Sequence, residues 1–576
     1  MISTLLNSLK KAFKFYCYLL GGATLLLGLI VWVTSETTPA LSPKTVLTID
    51  FSTPVFEGRP ADFLSSLSFE DNPTFNDVLQ ALDKAAQDPD IIALYARMND
   101  TNLSLAQIQE LRGAIKKFRQ SGKKAYAYAS SFGQMSGGLR PYYLASAFDE
   151  IWLQPSGDAG LTGMAIDASF YKDALEKLGI EAEFSARYEY KTGAASFTEN
   201  RMSAPDRENT QNLMENLFEQ ISADIAADRN IDAQTMRQIL LTGPYFAQDA
   251  LNAKLVDRVE YADVLQDALE EQSEDAVNIA DYIAVRAEKP QDRVAQITLS
   301  GVLTQSDDRF GGDASTSLIG VSQTIDLLHE TADDDAVKGI VLRLDSPGGA
   351  YTPSDALWHE IIKIREKYGK PVVCSMGATA ASGGYFLSLA CDKVYAMPAT
   401  ITGSIGVFGG KFNAGKLLKK LGVNTETVAI GENADFFALH RGMTPSQRKF
   451  FEASLDRVYE DFTQKTAQRR NLTKEQIDKA ARGRVFTGAQ ALDAGLIDAI
   501  GTSDDARKEV LRLANIDADL PLVEYPAQQS RWELLGEFLS SGTIRSDKMP
   551  LAARILLKLQ ALSDVFGADN RLLFMP

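Results

Sequence analysis

Hydrophobic and polar positions along the chain fall into three regimes. The first is one apolar run: Phe15 to Val33 carries no charge over 19 residues, long enough for a helix to span a bilayer. Lys10, Lys11 and Lys14 precede it, and Glu36, Lys44 and Asp50 are the first charges after it. The positive-inside bias therefore predicts a cytoplasmic N-terminus with the bulk of the chain outside. A cleaved signal peptide would have a shorter apolar region, and Val33-Thr-Ser-Glu36 is a poor small-residue cleavage site. The pattern predicts an uncleaved anchor. The second regime starts at Thr45, after the Pro/Ser/Thr linker Thr37–Pro43, and alternates short β-branched runs such as Val46-Leu-Thr-Ile-Asp-Phe51 with helical-period segments. That alternation predicts βαβ units and largely parallel sheets. In the third, from Pro526 to Pro576, an amphipathic pattern (Leu551-Ala-Ala-Arg-Ile-Leu-Leu-Lys-Leu-Gln560) has an open role.

The second regime runs through its programme twice, with a period of about 240 residues. Asp90-Ile-Ile-Ala-Leu-Tyr-Ala-Arg-Met98 matches Val337-Lys-Gly-Ile-Val-Leu-Arg-Leu-Asp345, and Ser136-Gly-Gly138 matches Ser382-Gly-Gly384. Asp149-Glu-Ile-Trp-Leu153 matches Asp392-Lys-Val-Tyr-Ala396, and Leu161-Thr-Gly-Met164 matches Ile401-Thr-Gly-Ser404. Leu175–Gly179 and Leu418–Gly422 follow, then Ala247–Asp257 and Gly488–Asp498. Matches in one order over the whole length predict a tandem duplication. The expected organisation is a tip and anchor over 1–36, a linker over 37–44, repeats over 45–290 and 291–523, and a tail over 524–576.

The repeats differ where chemistry would sit. Ser404 lies among glycines in Pro398-Ala-Thr-Ile-Thr-Gly-Ser-Ile-Gly-Val-Phe-Gly-Gly410, which let the backbone turn and expose the hydroxyl; the first repeat has Met164 there. Asp345-Ser-Pro-Gly-Gly349 reads as a turn after a strand, and Gly348 and Gly349 could aim backbone N–H groups at an oxyanion; an ordinary Pro-Gly turn is the plainer reading. Ser382 reads as a helix N-cap, which needs no catalytic role. A serine nucleophile needs a proton acceptor. His329, His359 and His440 lie in no Gly-rich or strand-end motif, so a Ser-His-Asp triad is poorly supported. Lys191, in Arg187-Tyr-Glu-Tyr-Lys-Thr-Gly-Ala-Ala-Ser-Phe197, has no counterpart in the second repeat, Ala429–Phe437. A surface lysine is the plain alternative, yet complementary loss of serine and lysine is what a duplicated Ser-Lys enzyme sharing one site would leave.

Composition narrows the field. Lys+Arg 59 against Asp+Glu 76 gives a net charge of −17, with no basic cluster, which argues against nucleic acid as a partner. Three cysteines make no disulfide framework; Cys374 and Cys391 could pair but read more simply as small buried hydrophobes. No metal-ligand spacing is present, and no cofactor is expected.

These motifs are similar to those of a known family. The chain resembles the long form of the bacterial signal peptide peptidase A (protease IV) family, membrane-anchored Ser-Lys peptidases of the ClpP/crotonase-like superfamily. The resemblance rests on Asp345-Ser-Pro-Gly-Gly349, Ala381-Ser-Gly-Gly-Tyr385, Thr402-Gly-Ser-Ile-Gly406, Tyr190-Lys-Thr192 and the duplication, and extends from the anchor to about Val523. It implies a tandem pair of ClpP/crotonase-like α/β domains behind a transmembrane helix. It also implies Ser404 as nucleophile and Lys191 as general base, one from each repeat, with the Gly348/Gly349 turn as oxyanion donor and Ser382 as a possible support. The implied substrates are cleaved signal peptides at the cytoplasmic membrane, and the implied assembly is a homotetramer. Gly193 and Ala194 depart from the bulkier residues expected of the family. Three rivals share parts of the pattern: a crotonase-type acyl-CoA enzyme, an anchored non-catalytic scaffold, and a peptidase with Ser382 as nucleophile.

Overall fold

The computed structural model describes residues 41–58, 73–286, 291–305 and 318–526. The expected anchor and the tail after Pro526 lie outside the described residues. Among the described residues no helix is long and apolar enough to cross a membrane.

The first repeat carries strands β1 (Thr45–Asp50), β2 (Ile91–Arg97), β3 (Lys124–Ala129), β4 (Glu150–Leu153), β5 (Asp158–Ala159), β6 (Glu181–Arg187), β7 (Tyr245–Phe246), β8 (Arg258–Val259) and β9 (Asp275–Asn278). The second carries β10 (Arg293–Thr304), β11 (Leu318–Gly320), β12 (Val337–Gly349), β13 (Val372–Ala381), β14 (Lys393–Ala396), β15 (Ile401–Gly403), β16 (Val407–Asn413), β17 (Val485–Thr487), β18 (Ala499–Ile500) and β19 (Leu522–Tyr525). The first main sheet runs β8-β4-β3-β2-β1-β9 and every pairing in it is parallel. The second repeats that order as β18-β14-β13-β12-β10-β19, with β11 also on β10 and a β15–β17 flap off β13. The duplication read from the sequence is therefore a duplication of topology.

Parallel strands covered by helices bury both faces, which is why these strands are nearly all apolar. Helix Leu105–Gln120 shows how one element serves both halves. Ser104 and Gln107 form its capping box, worth about 1 kcal/mol. Ile108, Leu111, Ile115 and Phe118, at helical spacing, are fully buried in the core of the first repeat, where each Leu or Ile to Ala change costs about 2–5 kcal/mol. Its polar face meets the second repeat. Arg343, in the middle of β12, donates to Glu110 (2.9 Å), to Ser375 Oγ (2.8 Å) and to Glu57. Glu57 in turn accepts from Gln107, and Glu110 accepts from the backbone and hydroxyl of Ser503 (2.7 and 2.9 Å).

Two local expectations change. The Asp345–Gly349 stretch is not a turn beyond a strand: β12 continues to Gly349, paired with β10 through an irregularity at Ser300/Val302. Gly406 lies in the turn after Ser404, but Gly409 and Gly410 are in a strand, β16 (Val407–Asn413), an antiparallel partner of β6 from the other repeat. Cys374 and Cys391 are both buried and unpaired.

Candidate active site

The β6–β16 ladder runs from Glu181↔Asn413 to Arg187↔Val407. It ends four residues before Lys191 and three after Ser404, so one antiparallel pair delivers both residues to the same place. Ser404 leaves β15 in the left-handed region, with φ +52. Its backbone N–H donates to Arg484 O (2.8 Å), which holds the turn.

Lys191 Nζ lies 2.9 Å from Ser404 Oγ, 2.8 Å from Ser404 O and 3.1 Å from Ser382 Oγ. The lysine is only 8% exposed. Burial alone pulls its pKa from 10.5 to about 7, because little solvent is left to stabilise the ammonium and no carboxylate replaces it. Ser382 does begin helix Gly383–Ser388, but its side chain makes no cap hydrogen bond. Its φ of +54 instead turns the hydroxyl toward the lysine.

Gly348 sits against Ser382: a Cβ there would come within 2.8 Å of the Ser382 Cβ. Its N–H donates to Ser346 Oγ (3.1 Å), so any oxyanion it served would displace that bond. The departure at Gly193 also has a cause, since a Cβ there would lie 2.8 Å from the Phe408 ring. The aromatic on β16 fills the space a larger residue would take. The histidines sit elsewhere: His329 bonds Tyr368 (3.3 Å) and Glu360 (3.0 Å), His440 bonds Thr427 (3.0 Å), and His359 is exposed.

Two features escaped the sequence reading. Gln109 accepts from Ala399 N (2.7 Å) and donates to Gln220 (3.0 Å), which donates to Pro398 O (3.2 Å). First-repeat helices thereby hold the segment that leads to Ser404. The other is the turn Arg482-Gly483-Arg484, which touches both loops of the site. Its signal was a difference between repeats, for in the register of Ala247–Asp257 on Gly488–Asp498 the matching first-repeat stretch reads Leu241-Thr242-Gly243.

A hydroxyl against a buried amine of lowered pKa is the equipment of a serine hydrolase. The model of peptidase family S49 matches twice, over residues 117–276 and 364–517, together more than half of the chain. "Protease 4" of Salmonella typhi is 30% identical over 80% of this chain and 75% of its own length. "Serine protease SPPA, chloroplastic" of Arabidopsis thaliana is 30% identical over 76% of this chain and 65% of its own length. "Putative signal peptide peptidase SppA" of Enterococcus faecium is 34% identical over 34% of this chain and 57% of its own. The chain belongs to peptidase family S49, in its long, two-repeat form of protease 4 and signal peptide peptidase A proteins.

Proposed function

We propose that the chain is a membrane-anchored endopeptidase with Ser404 as nucleophile and Lys191 as general base, degrading cleaved signal peptides at the outer face of the cytoplasmic membrane. The observation that carries this reading is the 2.9 Å separation of Lys191 Nζ and Ser404 Oγ in a site where the amine is buried. A lysine poised near 7 is neutral in about half the molecules at neutral pH. The neutral amine takes the Ser404 proton as Oγ attacks the peptide carbonyl. The tetrahedral oxyanion is received by backbone N–H groups at Gly348 and Gly349, each donor lowering the barrier by about 3 kcal/mol. Lys191 then returns the proton to the leaving amine and the C–N bond breaks. Water, deprotonated by the same amine, attacks the acyl ester and frees Ser404. Ser382 holds the lysine from its other side.

The apolar run Phe15–Val33 supports the anchor, and Leu/Ala-rich signal peptides suit a site that excludes water. The homotetramer is carried over from the family resemblance alone.

The decisive experiment reacts the detergent-solubilised protein with a serine-directed phosphonylating probe and maps the adduct by mass spectrometry. A single adduct on Ser404, lost in Lys191→Ala, is expected. An adduct on Ser382 would move the nucleophile there, a reading with its own footing in the 3.1 Å contact to Nζ. A folded protein that takes no adduct would end the peptidase assignment. In the same preparation Ser404→Ala and Lys191→Ala each abolish cleavage of a membrane-inserted signal peptide.

A further inference from the structure

Lys191 and Ser404 belong to loops from different repeats, and a three-residue turn lies between those loops. Arg482 O accepts from the backbone N–H of Tyr188 and of Tyr190, both at 3.2 Å. One residue on, Gly483 N donates to Ile405 O (2.8 Å), and Arg484 O accepts from Ser404 N (2.8 Å). The turn is thus bonded on one side to the strand end that carries the lysine and on the other to the residues flanking the serine. β17 follows it directly, with Val485 paired to Gly403.

Side chains fasten the same turn. Arg482 forms a two-point ion pair with Glu189 (2.9 Å), bonds Asp478 (3.2 Å), and stacks its guanidinium 4.7 Å from the Tyr188 ring centre. Arg484 lies 3.8 Å over the Tyr190 ring and bonds Glu208 (3.2 Å), which also accepts from the Tyr190 hydroxyl (3.3 Å). Both tyrosines flank Lys191 within three residues. The first repeat's copy of the turn, Leu241-Thr242-Gly243, has neither arginine. The two cations therefore occur in the copy that faces Lys191.

Gly483 is the point of closest approach. A Cβ there would fall 2.4 Å from Lys191 N and 2.5 Å from its Cα and Cβ. These are mostly backbone atoms and cannot swing aside like the end of a side chain. Any larger residue must push the Lys191 loop outward. Gly483 also has φ +88, which disfavours a side chain regardless of space.

We propose that the Arg482-Gly483-Arg484 turn is the positioning element of the dyad: it sets the distance from Lys191 to Ser404 and closes Lys191 off from water. The inference rests on the Ser404/Lys191 reading above. A displacement of about 1 Å at a reacting pair costs on the order of 100-fold in rate. Water reaching the amine returns its pKa toward the ordinary lysine value.

The test is Gly483→Ala in the full-length, detergent-solubilised protein, assayed on a quenched-fluorescent apolar peptide across pH 5 to 10. Expected are a fall in kcat of about 100-fold, a KM within about threefold of wild type, and an acid limb of the pH–rate profile moved up by about one pH unit. A merely structural defect would lower the amount of active enzyme and leave that limb in place. Gly369→Ala controls for backbone strain, because Gly369 has φ +63 but nothing within 4 Å of a Cβ; it is expected to be fully active. Should Gly483→Ala fail to fold, Arg482→Ala at the partly exposed ion pair takes its place, with an expected kcat loss of about 10-fold and the same direction of limb shift. Arg482→Lys recovers part of the loss at most, since an ammonium cannot make the two-point contact. A folded Gly483→Ala, or in its absence Arg482→Ala, with wild-type kcat and an unmoved limb overturns the proposal. Ser404→Ala and Lys191→Ala run alongside. If either cleaves normally the dyad falls and this inference with it; if both are dead while the turn variants are normal, the turn's role alone is refuted.

Discussion

As the proposed general base, Lys191 serves two opposed demands. Catalysis needs a neutral amine near pH 7, while folding would be easier if no amine were buried there. The first demand predicts a pH dependence. With the pKa at about 7, kcat/KM on an apolar peptide should rise about tenfold per pH unit below neutrality and level off above it. A profile flat down to pH 5 would remove Lys191 as the base. The second demand predicts a gain in stability from Lys191→Met. Between about 7 and 10.5 the unfolded lysine holds a proton that the folded one has released, so wild-type stability increases with pH across that window. The methionine variant escapes this cost. It should be more stable than wild type by a few kcal/mol at pH 7, less whatever the lost hydrogen bonds contributed, with the gap narrowing toward pH 10. Denaturant midpoints at pH 7 and 9.5 measure it, and a variant less stable at both would show that the three contacts of Nζ outweigh desolvation.

At the scale of elements, what matters is how one repeat grips the other. Arg343 on β12 faces Glu57 and Glu110, all three at 8% exposure or less, with Asp345 close by. Burial raises the carboxyl pKa of both Glu57 and Asp345 above the usual range, Arg343 opposing it in each case. A raised carboxyl pKa favours the folded state at low pH, and that advantage is lost as pH climbs through the folded value. Removing the guanidinium should therefore hurt most when the carboxyls are ionised. Arg343→Met is expected to cost about 3–5 kcal/mol at pH 8 and distinctly less at pH 5; equal losses at both would show that the cluster acts by packing alone. The sequence announced the alternation of strands and helices, the duplication and the Ser404/Lys191 complementarity, because each is written as a pattern along the chain or as a difference between repeats. It did not announce Arg343, a charge inside an apolar strand whose carboxylate partners are more than 200 residues away, nor the Gln109–Gln220 clamp on Pro398 and Ala399. Those depend on which faces meet after folding. The β6–β16 pair was hidden for another reason: Val407-Phe-Gly-Gly410 has the glycine content of a loop, and only its cross-repeat partner makes it a strand.

On the Ser404/Lys191 reading, the whole molecule explains how each repeat could keep only half of the chemistry. Both residues of the proposed dyad lie in one chain here, 2.9 Å apart, joined by the β6–β16 ladder and the Arg482–Arg484 turn. The first repeat's position equivalent to Ser404 is Met164, which lines a mixed cleft of about 360 Å³ where Met202, Met214 and Phe218 lie alongside Arg207, Glu215 and Arg237. That cleft has no lysine beside it, and Met164 offers no nucleophile. One site per chain is therefore expected, assembled within the chain. Co-expression of differently tagged Ser404→Ala and Lys191→Ala chains tests this directly. If the dyad is internal, mixed assemblies purified through both tags stay as inactive as either parent, because every chain lacks one partner of its only site. If the lysine instead reached the serine of a neighbouring chain, some sites in the mixed assembly would pair an intact Ser404 with an intact Lys191 and recover a sizeable part of wild-type activity. The antiparallel ladder argues for the first outcome, since forming the site between chains would require separating seven paired residues of β6 and β16 and exchanging them for those of another copy.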